Sequence, residues 1–202
     1  MTAKITNSYI NNIYICVFLF LSLHSFSLNG QIVLPNASFE EEPADATTPM
    51  GWLPCAEFTT PDILPGFWGV YTDASEGDTY VGLITRDNGT FESISSRCSA
   101  DMLAGICYEF RLDLAHSKTY SGFNKVIQLK IWIGEEKCDK DQMIFFSEKV
   151  KNSDWEQHKI KFTPKKDARY LHLEAYYKDG SFAHKGNILI DNISPIVFCK
   201  GA

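Results

Sequence analysis

Signatures of catalysis are what this 202-residue sequence has least of. It holds no Gly-x-Ser-x-Gly, no His-Glu-x-x-His and no glycine loop spaced to cradle a phosphate. None of its five histidines, His24, His116, His158, His172 and His184, stands in a motif with a nucleophile. Basic runs are also missing, and 19 Lys and Arg stand against 25 Asp and Glu. Only Lys4 of the basic set precedes Gly30, so the chain beyond carries a net charge of about −7, a poor match for nucleic acid or an anionic membrane. Cys-x-x-Cys and zinc-like Cys/His spacings do not occur. No stretch has the length and period of an amphipathic helix; the best, 100–105 (ADMLAG), makes a single turn. Repeats and low-complexity tracts are absent too.

What is present begins with a leader. Lys4 precedes the apolar run 15–21 (ICVFLFL), continued by Leu23, Phe26 and Leu28 and closed by Gly30, the pattern of a secretory signal cut after Gly30. The run is broken by Ser22, His24, Ser25 and Ser27 and falls short of the roughly 20 residues needed to span a bilayer. The expectation is a secreted or cell-surface protein with no membrane span in the mature chain. Residues 31–202 are enough for one domain with a sizeable core. Five cysteines remain beyond the leader, Cys55, Cys98, Cys107, Cys138 and Cys199, for which disulfides are the default after export. Cys98 and Cys107, nine apart across a strand-turn-strand, form the favoured bridge, and the odd thiol left over reads as a buried, inert one.

Short segments rich in β-branched and aromatic residues recur about every ten positions, each closed by Gly, Asp, Asn or Pro. They are 31–42, 67–71, 79–85, 92–98, 107–116, 126–134, 143–150, 155–163, 170–178 and 187–198, with a long loop over 43–66. Alternation assigns faces: Tyr108, Phe110, Leu112 and Leu114 oppose Glu109, Arg111 and Asp113. Ile127, Leu129, Ile131 and Ile133 oppose Gln128, Lys130 and Trp132, and Leu171, Leu173 and Ala175 oppose Tyr170, His172, Glu174 and Tyr176. One core face and one wet face per strand predict an all-β, two-sheet antiparallel β-sandwich of jelly-roll type with about ten strands.

Five stretches, in order, resemble the galactose-binding-like jelly rolls that include many carbohydrate-binding modules. They are 34–41 (LPNASFEE), 76–83 (EGDTYVGL), 103–108 (LAGICY), the strand opened by Trp155, and 186–194 (GNILIDNIS). Segment 51–70 (GWLPCAEFTTPDILPGFWGV) is similar to surface domains of Bacteroidetes bacteria, which adds adhesion or a partnership with envelope proteins as a rival role. The first resemblance implies glycan binding. It also implies a structural calcium ion between the first and last strands, with Glu40 and Asp191 at the matching positions and carboxylate oxygens suited to a hard cation. The sequons at Asn36, Asn88 and Asn192 have no meaning in a bacterial chain of that kind.

The wet faces supply Arg111, Gln128, Lys130, Trp132, His172, Glu174 and Tyr176. Sugar recognition uses such a mixture, since a ring stacks on the C–H face of a pyranose while polar groups take its hydroxyls. The competing reading is an ordinary solvated or loop-covered sheet face. Loop aromatics Trp68 and Tyr71 are further ligand candidates, whereas Trp52 is read as anchoring its loop to the core. A polysaccharide-cleaving enzyme is the least favoured reading. It rests on 176–182 (YYKDGSF), similar to a strand of jelly-roll alginate lyases, and on carboxylate pairs such as Asp113 and Glu174.

Overall fold

The computed structural model describes residues 30–177 and 184–200. The expected leader up to residue 29 and positions 178–182 of the 176–182 stretch lie outside them. Residues Gln31–Ala202 group as one compact unit. Among the described residues twelve strands make two sheets: β1 (Trp52–Pro54), β2 (Asp62–Leu64), β3 (Tyr80–Thr85), β4 (Ser93–Met102), β5 (Tyr108–Ala115), β6 (Lys125–Val126), β7 (Gln128–Gly134), β8 (Gln142–Phe146), β9 (Glu156–Phe162), β10 (Ala168–Tyr176), β11 (Gly186–Asp191) and β12 (Val197–Phe198). One sheet runs β1-β4-β10-β7-β8; the other runs β12-β5-β11-β3-β2, with β9 against β5 and β6 against β11. The pairing is antiparallel except for the short parallel contact of β6 with β11. This is the two-sheet sandwich that the alternation predicts.

The core lies between the sheets because the period-two apolar sets all point there. Tyr108, Phe110, Leu112 and Leu114 meet Leu129, Ile131, Ile133, Leu171, Leu173 and Ala175, all essentially excluded from solvent. Trp52 joins them, packed on Phe39 at 5.1 Å between ring centroids, so it does anchor its loop. A second, smaller cluster covers the outside of the seven-stranded sheet. Val70 and Tyr120 pack there on Tyr80, Ile84 and Leu189 under Phe67 and Trp155.

Several expected boundaries shift. Residues 31–42 are loop, fixed by a bridge between Ile32 and Ile196 and by bonds to Ser99, Thr79 and Ile193, and 67–71 is a turn whose Val70 plugs the second cluster. The 43–66 loop contains β1 and β2, each pinned to the edge of a longer strand. The expected Cys98–Cys107 bridge does not form. The bonds are Cys55–Cys138 and Cys107–Cys199. Cys107 opens β5 beside Cys199, whose N–H donates to its carbonyl at 3.0 Å, while Cys98 points from β4 into the core. There burial pushes its thiol up to about 12, the inert state expected of the leftover cysteine. Two disulfides fit an oxidising, extracellular setting, and among the described residues no helix is long and apolar enough to cross a membrane.

Candidate functional site

Strands β7 and β10 are neighbours, and their register sets His172 beside Trp132, Glu174 beside Lys130 and Tyr176 beside Gln128. Six of the seven wet-face candidates therefore share one patch, the outer face of the five-stranded sheet. β4 adds Ser93 next to Glu174 and Ser95 next to His172, and β8 adds Phe146 next to Lys130. Arg111 does not belong to this patch. It sits on β5 in the other sheet, paired with Lys159 of β9, because alternation reports which face a residue takes and not which sheet.

The face is not wet along its length. Residues 135–141, between β7 and β8, fold back across β10 and β4 and are tied by the Cys55–Cys138 bond to the end of β1 at the opposite edge. Lys140 of this strap pairs with Glu174 and lies 5.3 Å from the Phe91 ring centroid. His172 beneath is fully buried, and burial, reinforced by the Lys140 charge, holds its ring down to about 4, so it is neutral at ordinary pH. Trp132 is half-buried, and its indole nitrogen is enclosed without a hydrogen-bond partner among the described residues. Gln128 is buried too and spends its amide on the Ser147 carbonyl at 2.8 Å, which ties β7 to the chain after β8.

Beyond the strap the face opens. Lys130 lays its ammonium 3.3 Å from the Tyr176 ring centroid, with Phe146 at 5.6 Å, Trp132 at 5.8 Å and a Glu174 oxygen at 3.8 Å. Burial lowers the pKa of this lysine, and Glu174 partly restores it. At the end of the sandwich next to this face, Glu174, Tyr176 and Tyr177 of the β10 segment, Arg86, Thr90 and Phe91 of the β3–β4 turn and His184 before β11 line an open cleft of about 290 Å³. Arg86 is held by Glu92 at 2.6 Å, a carboxyl that burial pushes up to about 7 against the pull of that guanidinium. At the other end of the face a polar cleft of about 540 Å³ is lined by Arg97, Asp101, Glu135, Lys137, Arg169 and Tyr170. Phe91 and Phe146 were not among the sequence candidates. Phe91 lies outside the alternating part of β4, and Phe146 ends an edge strand whose register shifts opposite β7.

Trp68 and Tyr71 are exposed, but they sit on the loop over the seven-stranded sheet and do not reach this face. The Trp68 indole donates to Asp45 at 2.8 Å and its ring meets Phe123 edge-on.

Glu40 and Asp191 do converge, on the loop 75–79. Glu40 accepts the Asp78 N–H at 2.9 Å, and Asp191 accepts those of Ser75 and Glu76 at 2.8 and 3.0 Å. Asp113 lies opposite Asp191 in the sheet and takes the Ser75 hydroxyl at 2.6 Å. Burial, with the Glu40 charge added, raises Asp191 to about 6. Among the described residues no group of three or more Asp, Glu, His or Cys is placed to hold a metal ion, and here N–H groups engage the oxygens that a calcium ion would need.

No protein-family model and no curated protein matches the chain. Solved structures do share its fold. A Stig cyclase, Fisc, from Fischerella sp. TAU superimposes with a TM-score of 0.56 at 14% identity, over 84% of this chain and 97% of its own. The K2 cleaved adhesin domain of Lys-gingipain gives 0.53 at 14% identity, over 83% and 99%. The CBM22-1 xylan-binding domain of Paenibacillus barcinonensis Xyn10C gives 0.51 at 16% identity, over 82% and 94%. The sandwich is thus one that carbohydrate-binding modules, adhesin domains and an enzyme all use, and at these identities the likeness is one of fold.

Proposed function

We propose that this chain is a secreted, non-catalytic carbohydrate-binding domain that takes a polysaccharide at the cleft where β10 of the five-stranded sheet meets the β3–β4 turn at the end of the sandwich. The observation that carries the reading is the lining of that cleft. Tyr176 and Phe91 offer rings for stacking, and Glu174 and Arg86 offer fixed, planar hydrogen-bonding groups within the same 290 Å³. The fold it shares with a xylan-binding domain is consistent with this use. Support for a non-catalytic role comes from the carboxylates: Asp113 and Glu174 lie on different sheets and cannot flank one glycosidic bond.

Affinity electrophoresis against a panel of polysaccharides that includes xylan tests the proposal. Wild type is retarded by at least one of them, and Tyr176→Ala loses that retardation. A protein that no polysaccharide retards, or a variant that behaves as wild type, defeats it.

The rival is adhesion to an envelope protein. It is favoured by the exposed Met143 and Phe146 on edge strand β8, where apolar side chains and a free strand edge stand together. A stoichiometric protein partner recovered from the native envelope, without retention by any polysaccharide, would select it.

A further inference from the structure

The strap leaves an anomaly beneath it. The Ser93 hydroxyl, the Trp132 indole nitrogen and both ring nitrogens of His172 are buried with no hydrogen-bond partner among the described residues. Ser93 is 1% exposed and His172 0%. All three stand on the same face of adjacent strands, β4, β7 and β10. Buried polar groups in folded proteins are nearly always satisfied, and a cluster of unsatisfied ones on one surface marks a place where another partner belongs.

The strap that buries them supplies no bonds to them. It is seated on the face by Lys140 on Glu174, and by Asp139 against Gly134, where even a single added carbon would collide. Its hold at the far edge is covalent, through Cys138 to Cys55. On one side of it the same face opens into the Arg97–Tyr170 cleft, and on the other it runs to the Phe91–Tyr176 cleft at the end of the sandwich.

We infer that Ser93, Trp132 and His172 form a further sugar subsite, which the strap 135–141 covers and the Cys55–Cys138 disulfide latches shut. Lifting the strap joins the two clefts into one trough running along the sheet. The atoms offered there suit a neutral, hydroxyl-bearing ring. The uncharged imidazole gives one donor and one acceptor, the serine hydroxyl gives both, and the indole gives a donor beside a stacking surface. An external dithiol would release the latch, its two thiols closing to a disulfide as Cys55 and Cys138 each gain an electron and a proton. The sugar assignment rests on the carbohydrate-binding reading; the latch does not.

Carbethoxylation of histidines, read by peptide mass spectrometry, tests the latch in the full chain without any ligand. His116, buried beside Asn187 in the other sheet, reports whether the fold stays closed. Wild type protects both residues. In Cys55→Ser/Cys138→Ser, His172 reacts about tenfold faster or more while His116 stays protected. A His172 as protected in this variant as in wild type overturns the latch. If His116 reacts as well, the comparison passes to a chain with four glycines inserted after Asp139, which keeps the disulfide and slackens the cover. There, a protected His172, or one exposed only together with His116, overturns it.

Affinity electrophoresis of the two latch forms in xylan and the other polysaccharides then tests the ligand. Stronger retention of the open form supports the subsite. An exposed His172 with no gain in retention on any polysaccharide overturns the sugar assignment and leaves the latch. No retention of either form overturns the carbohydrate reading itself.

Discussion

Gly134 and Asp139 touch so closely that a Cβ on the glycine would overlap the Asp139 Cβ, well inside van der Waals contact distance. Gly134 ends β7 on the outward-facing side of the strand, in phase with Trp132 and Lys130, so the contact is what lets the strap lie flat on the sheet. Gly134→Val must push the strap outward or strain the end of β7. We expect a loss of about 1–3 kcal/mol, the usual result of forcing extra carbons into a filled space. Urea unfolding with the disulfide intact measures it, and an unchanged midpoint would mean that the strap is not seated on Gly134.

Burial of His172 fixes a pH dependence. Its ring is held down to about 4 in the folded protein, against 6.5 for the exposed residue, mainly by burial and next by Lys140. A depressed histidine favours folding while it is neutral, so its contribution is complete above pH 6.5 and is lost as the pH falls toward 4, because the unfolded chain takes up the proton first. Asp62, Glu92 and Asp191 act in the opposite sense. Their carboxyls are raised to about 6, 7 and 6, so they favour folding most when protonated and lose that contribution as the pH rises through the same range. Comparing His172→Leu with wild type isolates the histidine. Between pH 7.5 and 4.5 the variant should gain about 2–3 kcal/mol relative to wild type in denaturant titrations. Parallel curves for the two proteins would show that His172 is accessible to protons in the native state.

The cysteine pattern gives a chemical prediction. A non-reducing digest should yield Cys55 joined to Cys138 and Cys107 joined to Cys199, with Cys98 the one free thiol among the described residues. Because that thiol is buried and pushed up to about 12, it should ignore a thiol reagent in the native protein and react once guanidinium unfolds the chain. Rapid labelling of Cys98 under native conditions would contradict its place in the core.

How much of this was legible in the sequence follows from what period-two patterning carries. Tyr108, Phe110, Leu112 and Leu114 announced a strand with one buried face, and the same logic found β3, β7, β9 and β10 close to their true limits. Patterning is silent about which strands are neighbours, so Arg111 was grouped with Trp132 although the two lie on different sheets. It is equally silent about what covers a face. The strap reads as a polar turn (EEKCDKD), and His172 and Glu174 looked solvated because only tertiary folding buries them. The usable signal was Cys138 just beyond a strand-ending Gly134, a cysteine in an otherwise charged turn. Three-residue strands such as β1 and β2 leave too few positions for any period to show.

The Glu40 and Asp191 pair yields the last prediction, on calcium. The two carboxylates stitch the start of the domain to its final long strand through the loop 75–79, and their mutual repulsion contributes to the raised pKa of Asp191. An ion that replaced the N–H groups at these oxygens would relieve that repulsion and bind only the folded chain, raising stability by mass action. At pH 7.5 a millimolar excess of calcium should then raise the melting temperature, chelation should reverse the rise, and Asp191→Asn should abolish the response to calcium while remaining folded. The Asn variant separates the site from general salt effects, since it keeps the size of the side chain and one carbonyl oxygen but loses the charge. A melting temperature indifferent to calcium and chelator alike would show that this junction is held by its hydrogen bonds, those of Ser75, Glu76 and Asp78 among them, with no ion.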